Sequence, residues 1–141
     1  MARNILVIGG STGIGRALVE ELVENGDNVY GASPNIKEAG LPSAVTTITY
    51  NVLEDETIEG LPDELHGLAY CPGSISLKPF KSFSLEKLRT EMELNYLGAV
   101  KVLHQVIDRL KKSKTGSVVF FSTVAVQTGL PFHTAVSAAK G

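Results

Sequence analysis

The chain has 141 residues, 43% of them hydrophobic and 20% charged, enough to bury roughly two-thirds of the surface its unfolded form would expose, which excludes disorder. Its 13 basic and 15 acidic residues leave a net charge of −2, so no summed positive field exists to hold a nucleic acid or an anionic membrane. A single cysteine, Cys71, forms no internal disulfide and offers metal chemistry no cluster; it suits a reducing compartment, with the cytoplasm as the default.

Apolar runs and helical stripes alternate along the chain, the pattern of a parallel sheet with helices on its faces. The first apolar run, residues 5–8, is too short for a signal sequence or a membrane span and reads as part of a buried strand over 4–9. A glycine-rich turn follows, then a helix over 13–25 with Ile14, Ala17, Leu18, Leu22 and Val23 on one face and Gly26 to end it. Strands are predicted over 28–32 and 45–51, separated by a turn at Ser33-Pro34-Asn35. Glu54, Asp55, Glu56 and Glu59 read as a solvated face near the start of a short helix, with no cation site assigned to them.

A fourth strand over 65–71 ends at Pro72-Gly73, and Ser84 is the N-cap of the next helical stretch. There Leu88, Met92, Tyr96, Ala99, Leu103, Val106 and Leu110 form one stripe, long enough to be two helices meeting near Thr90. Residues 117–121 are apolar at consecutive positions, which predicts a fifth strand covered on both faces. The last twenty residues contain no further strand with its crossover helix. The expected architecture is therefore a doubly wound parallel α/β sheet. One dinucleotide-binding domain is expected over 1–141, as the N-terminal part of a longer domain.

Gly9-Gly10-Ser11-Thr12-Gly13-Ile14-Gly15 lies between the first strand and the first helix, where a backbone turns sharply and leaves its amides free for an anion. A mononucleotide phosphate loop needs Lys-Ser/Thr after its last glycine. Here Arg16-Ala17 follows Gly15, so the magnesium-holding hydroxyl is absent and an NTPase is the minor alternative.

Gly9-x3-Gly13-x-Gly15 resembles the coenzyme turn of the short-chain dehydrogenase/reductase family, whose Rossmann-type fold agrees with the predicted sheet. Further motifs resemble the family's in order along the chain. Asn51-Val52 is similar to its Asp-Val pair, which contacts the adenine; Tyr70-Cys71-Pro72-Gly73 stands in place of its Asn-Asn-Ala-Gly. Asn95-Tyr96-Leu97-Gly98 resembles Asn-x-x-Gly, and Ser122-Thr123-Val124-Ala125 resembles Ser-Ser-Val-Ala.

The resemblance implies that Gly9, Ser11, Thr12, Gly13, Ile14 and Gly15 seat a pyrophosphate, with Ser33, Asn51, Val52, Pro72 and Gly73 along the rest of the coenzyme. It implies catalytic roles for Asn95, supporting a proton relay, for Thr123, orienting the substrate carbonyl, and for Lys140, which also holds the nicotinamide ribose. The family's proton-donor tyrosine falls on Val136, which carries no proton. His133 and Ser137 are the nearby substitutes, neither at the matched position, and His133 reads more readily as a loop histidine facing solvent or capping a backbone group. Cys71 reads as a buried strand-end thiol, with no lysine or histidine evident beside it.

The expected function is NADP(H)-dependent interconversion of a small-molecule carbonyl and alcohol. NADP is preferred to NAD because Ser33, rather than an acid, ends the second strand, with Arg16 and Lys37 placed to reach an extra phosphate. The alternative is a catalytically inactive dinucleotide-binding sensor or assembly protein. Because the family places the subunit-contact helix and much of the substrate pocket after the position of Lys140, the 141-residue chain alone is expected to be inactive. The full-length protein is expected to be a homo-oligomer.

Overall fold

The computed structural model describes residues 1–141. Five parallel strands, β1 (Asn4–Ile8), β2 (Asn28–Ser33), β3 (Thr46–Thr49), β4 (Gly67–Tyr70) and β5 (Ser117–Phe120), form one sheet in the order β3-β2-β1-β4-β5. The order reverses direction beside β1, opening a crevice between the carboxyl ends of β1 and β4, the usual ligand position in such a sheet.

Alternation along β1 divides the core between the two faces. Leu6 and Ile8 pack with Leu68, Tyr70, Val102, Val106 and Leu110, whereas Ile5 and Val7 pack with Val19, Val29, Val45 and Ala69. Helix α1 (Gly13–Glu24) covers the second set, and α3 (Gly98–Ser113) covers the first. At the opposite end of the sheet, Arg3 Nε donates to Asp27 Oδ1 at 3.0 Å, and that guanidinium holds the Asp27 carboxyl below its usual range.

Gly26 ends α1 as predicted, at φ +84° with its amide donating to Val23 O. The buried face of α1 differs from the predicted one. Gly15 and Val19 are buried, Leu18, Leu22 and Val23 are half-buried, and Ile14 and Ala17 are exposed. The acidic stretch after β3 contains no helix: Asn51 initiates a tight turn and Gly60 sits at φ +81°, so the backbone cannot accumulate a helical run.

Ser84 Oγ accepts from Lys87 N at 3.1 Å and caps α2 (Leu85–Met92). The predicted break near Thr90 falls later, in a π-helical turn over Glu93–Leu97 that leads into α3. Its extra residue rotates the preceding turns relative to α3. Glu91 and Asn95 thereby enter the buried face, while Met92 is only half-buried and Tyr96 is exposed. A further departure concerns β5, whose residues are all exposed instead of covered on both faces. It pairs only with β4; after Phe121 the chain enters a short 3-10 turn and helix α4 (Thr134–Lys140).

Candidate active site

Two close approaches shape the crevice. A Cβ on Gly9, which has φ +78°, would lie 3.0 Å from Pro72 N, where β1 and β4 converge. A Cβ on Gly15 would lie 2.1 Å from Gly9 O, so α1 can rest on the end of β1 only with glycine there. Gly13 adopts φ +56° in open space. Thr12 is the N-cap of α1 but makes no side-chain capping bond, and the helix's first turn carries no acid. Its amide donors thus stay available to an anion.

Beside this turn lies a cavity of about 330 Å³, lined in part by Gly9, Ser11, Ser33, Asn51, Val52 and Pro72. No carboxylate lines it. The Ser33 hydroxyl is buried without a hydrogen-bond partner, an atom that a bound polar group would satisfy. Close-packed glycines, an uncapped helix start and an orphaned hydroxyl on one cavity fit a dinucleotide. Arg16 is turned away: its Nε donates to Glu20 Oε1 at 3.0 Å and its Nη1 to Ala39 O at 2.5 Å. Lys37 is exposed in a short 3-10 turn and Ile14 is exposed beside Gly13.

The second group of implied residues lies beyond β4. A Cβ on Gly73 would stand 3.1 Å from both Asn95 Oδ1 and Lys140 Nζ, so these atoms flank one backbone position. Asn95 is buried; its Nδ2 donates to Glu91 O at 2.9 Å and to Glu91 Oε2 at 3.1 Å, while its Oδ1 has no partner. Lys140 Nζ donates to Phe121 O at 3.2 Å, and burial lowers its pKa. Burial also raises the pKa of Cys71, partly opposed by the Lys140 charge. The thiol is half-buried and, contrary to the expectation from sequence, has a lysine nearby, yet the net shift leaves it protonated at neutral pH.

Thr123 Oγ1 accepts from Ala125 N at 3.4 Å, leaving its O–H free to donate. Val136 is 1% exposed, sealed within the packing of α4. Ser137 Oγ donates to Ala125 O at 3.2 Å, and the His133 ring lies 2.6 Å from Pro131 O, as a capping role requires.

Two residues to which the sequence assigns no role of their own organise this half. Glu91, only 1% exposed, accepts from Ser74 and Ser76 hydroxyls and from Asn95, with Lys87 Nζ at 3.3 Å. Buried Tyr70 donates from its hydroxyl to Leu94 O at 2.6 Å and anchors the π turn; burial pushes its pKa up. Glu91 stands four residues before Asn95, one helical turn away on the same face, but that spacing alone does not mark the face as buried.

The switch-point crevice and the glycine turn define a doubly wound α/β protein of Rossmann type. Within that class, a sequence profile of the short chain dehydrogenase family matches residues 3–141, and the chain belongs to that family. It is 29% identical over 145 residues to a 2,5-dichloro-2,5-cyclohexadiene-1,4-diol dehydrogenase of Sphingobium indicum, covering 93% of this chain and 58% of that protein. A 3-ketodihydrosphingosine reductase of Mus musculus is 28% identical over 157 residues, covering 97% and 47%. The structure of a short-chain dehydrogenase from Streptomyces avermitilis superposes with a TM-score of 0.86 at 25% identity, over 99% of this chain and 56% of that one. The chain thus spans about half the length of the curated relatives it matches. The family generally binds NAD(P) and acts on small molecules. No helix is long and apolar enough to cross a membrane.

Proposed function

We propose that the full-length protein binds NADP(H) and interconverts a small-molecule carbonyl and its alcohol, as a homo-oligomer in the cytoplasm. The observation that carries this reading is the preformed cradle, in which Gly9 and Gly15 allow contacts no other residue would permit and the uncapped α1 faces a cavity holding an unpartnered Ser33 hydroxyl. Preference for NADP over NAD rests on the cavity's lack of a carboxylate, which would repel a ribose phosphate. Arg16, now on Glu20, and the exposed Lys37 are the cations that could turn toward that phosphate.

When bound, the nicotinamide supplies or accepts the hydride. Gly9, Ser11, Thr12, Gly13, Ile14 and Gly15 hold the coenzyme's phosphates; Ser33, Asn51, Val52, Pro72 and Gly73 line its path, and Lys140 holds the nicotinamide ribose. The free Thr123 O–H donates to the substrate carbonyl, and Asn95 presents its unpartnered Oδ1 to the relay. Val136 sits where the resemblance puts the proton donor.

That valine, sealed at 1% exposure, favours a second reading, coenzyme binding without turnover in a sensor or assembly protein. Fluorescence titration of the native full-length polypeptide with NADPH and NADH, followed by incubation with a panel of carbonyls, separates the two. NADPH bound more tightly than NADH, and then oxidised, supports the enzyme; binding without oxidation supports the sensor. No binding of either coenzyme rejects both.

A further inference from the structure

The turn at Asn51 is closed largely by its own hydrogen bonds. Asn51 N donates to Asp55 Oδ2 at 2.7 Å, and Asn51 O accepts from Glu54 N and Asp55 N at 3.1 and 2.8 Å. Asn51 Oδ1 accepts from Leu53 N at 3.0 Å, which fixes the amide's orientation because a backbone N–H can only donate. Lys101 Nζ clamps the turn from α3, donating to Val52 O at 2.8 Å and Asp55 O at 2.7 Å. Asn51 Nδ2 makes no hydrogen bond to the chain, and Asn51 lines the cavity beside the glycine turn. The side chain thus offers the cavity a pure donor on a rigid support.

We infer that Asn51 recognises the coenzyme's purine as a hydrogen-bond donor, so that the site accepts a 6-oxopurine dinucleotide as well as the adenine one; this rests on the coenzyme reading above. Adenine can take the Nδ2 proton only at a ring nitrogen, because its 6-amino group is itself a donor and opposes the amide. A 6-oxo group accepts the same proton directly. An acid at position 51 shifts the balance toward adenine: one carboxylate oxygen still takes Leu53 N, and the other accepts from a 6-amino group but repels a 6-oxo oxygen, leaving a 6-oxopurine only its N1–H to offer.

The test compares dissociation constants for NADPH and reduced nicotinamide hypoxanthine dinucleotide phosphate, by fluorescence titration of the native full-length polypeptide and its Asn51→Asp variant. The native protein binds the two within about threefold, and Asn51→Asp shifts the ratio toward adenine by roughly tenfold. Asn51→Ser, whose shorter hydroxyl can hold the turn without reaching the base, lowers both affinities by a similar factor and serves if the acid variant fails to fold. Strong native preference for adenine, an unmoved ratio in Asn51→Asp, or a Ser variant that alters only one affinity overturns the inference while leaving the coenzyme reading intact. Failure of both dinucleotides to bind the native protein overturns the two together.

Discussion

The glycine turn and the cluster of Glu91, Asn95 and Lys140 lie at the carboxyl ends of one sheet, but they are held by different means. Around the turn, main-chain atoms meet main-chain atoms: Gly15 against Gly9 O, Gly9 against Pro72 N, Gly9 N on Ala32 O at 2.8 Å. Around the Glu91, Asn95 and Lys140 cluster, side chains make the holding bonds, to one another or to main-chain carbonyls: Glu91 on Asn95, Ser74 and Ser76, Tyr70 on Leu94 O, Lys140 on Phe121 O. The first region is specified by what has no side chain. The second depends on what its side chains reach, and Asn95 Oδ1 is still unpartnered there.

The contrast is broken most severely at Gly15. A methyl group 2.1 Å from Gly9 O has no flexible neighbour to displace, so Gly15→Ala is expected to cost about 3 kcal/mol of stability and, by pushing the turn off the end of β1, to weaken coenzyme binding as well. Gly13→Ala has open space and bears only the left-handed φ of +56°, which costs about 1 kcal/mol. Thermal melts and coenzyme titrations of the two variants provide the measurement. Equal effects would show that backbone conformation alone, and not close approach, shapes the turn.

Glu91→Ala tests the other region. It strands two serine hydroxyls and removes one of the two acceptors of Asn95 Nδ2, with an expected loss of about 2 kcal/mol. Lys87 is partly exposed and rehydrates, which limits the damage. Hydrogen exchange should quicken in residues 73–76 and 93–97 while the amides around Gly9 and Gly15 keep their native protection. Faster exchange at both places would mean that the two regions form one cooperative unit rather than two.

The same contrast explains which features are legible in the sequence. Glycine spacing, strand-helix alternation and the Ser84 cap are local signals, and the residues alone place the turn, the parallel sheet and the start of α2. Burial of Glu91 is hidden because it depends on the π turn. An extra residue in that turn shifts the buried face from Met92 and Tyr96 to Glu91 and Asn95, and a stripe drawn at constant helical spacing cannot register the shift. The Lys140 charge comes near enough from α4 to oppose the rise in the Cys71 pKa, a proximity across the chain that no local pattern encodes. The exposure of β5 is likewise invisible, since consecutive apolar residues state what a strand needs to bury and not whether an element lies over it.

Lys140 gives the smallest effect and the one whose sign is least intuitive. Burial lowers its pKa below 10.5, outweighing the opposing influence of Cys71, so the folded chain holds the ammonium proton less firmly than the unfolded chain does. At neutral pH both forms are protonated and folding carries the full charge penalty. That penalty shrinks as pH rises through the lowered folded value and vanishes above the unfolded one. Lys140→Met should therefore melt about 1–2 °C higher than the native protein at pH 7, with the gap closing by about pH 11. The same variant should bind NADPH roughly tenfold more weakly, for want of a donor to the ribose. Opposite signs in the melt and the titration identify a lysine kept for its ligand at the expense of the fold. A variant that melts lower at pH 7 and binds normally would instead make the Phe121 contact its purpose, and would remove Lys140 from the reaction centre.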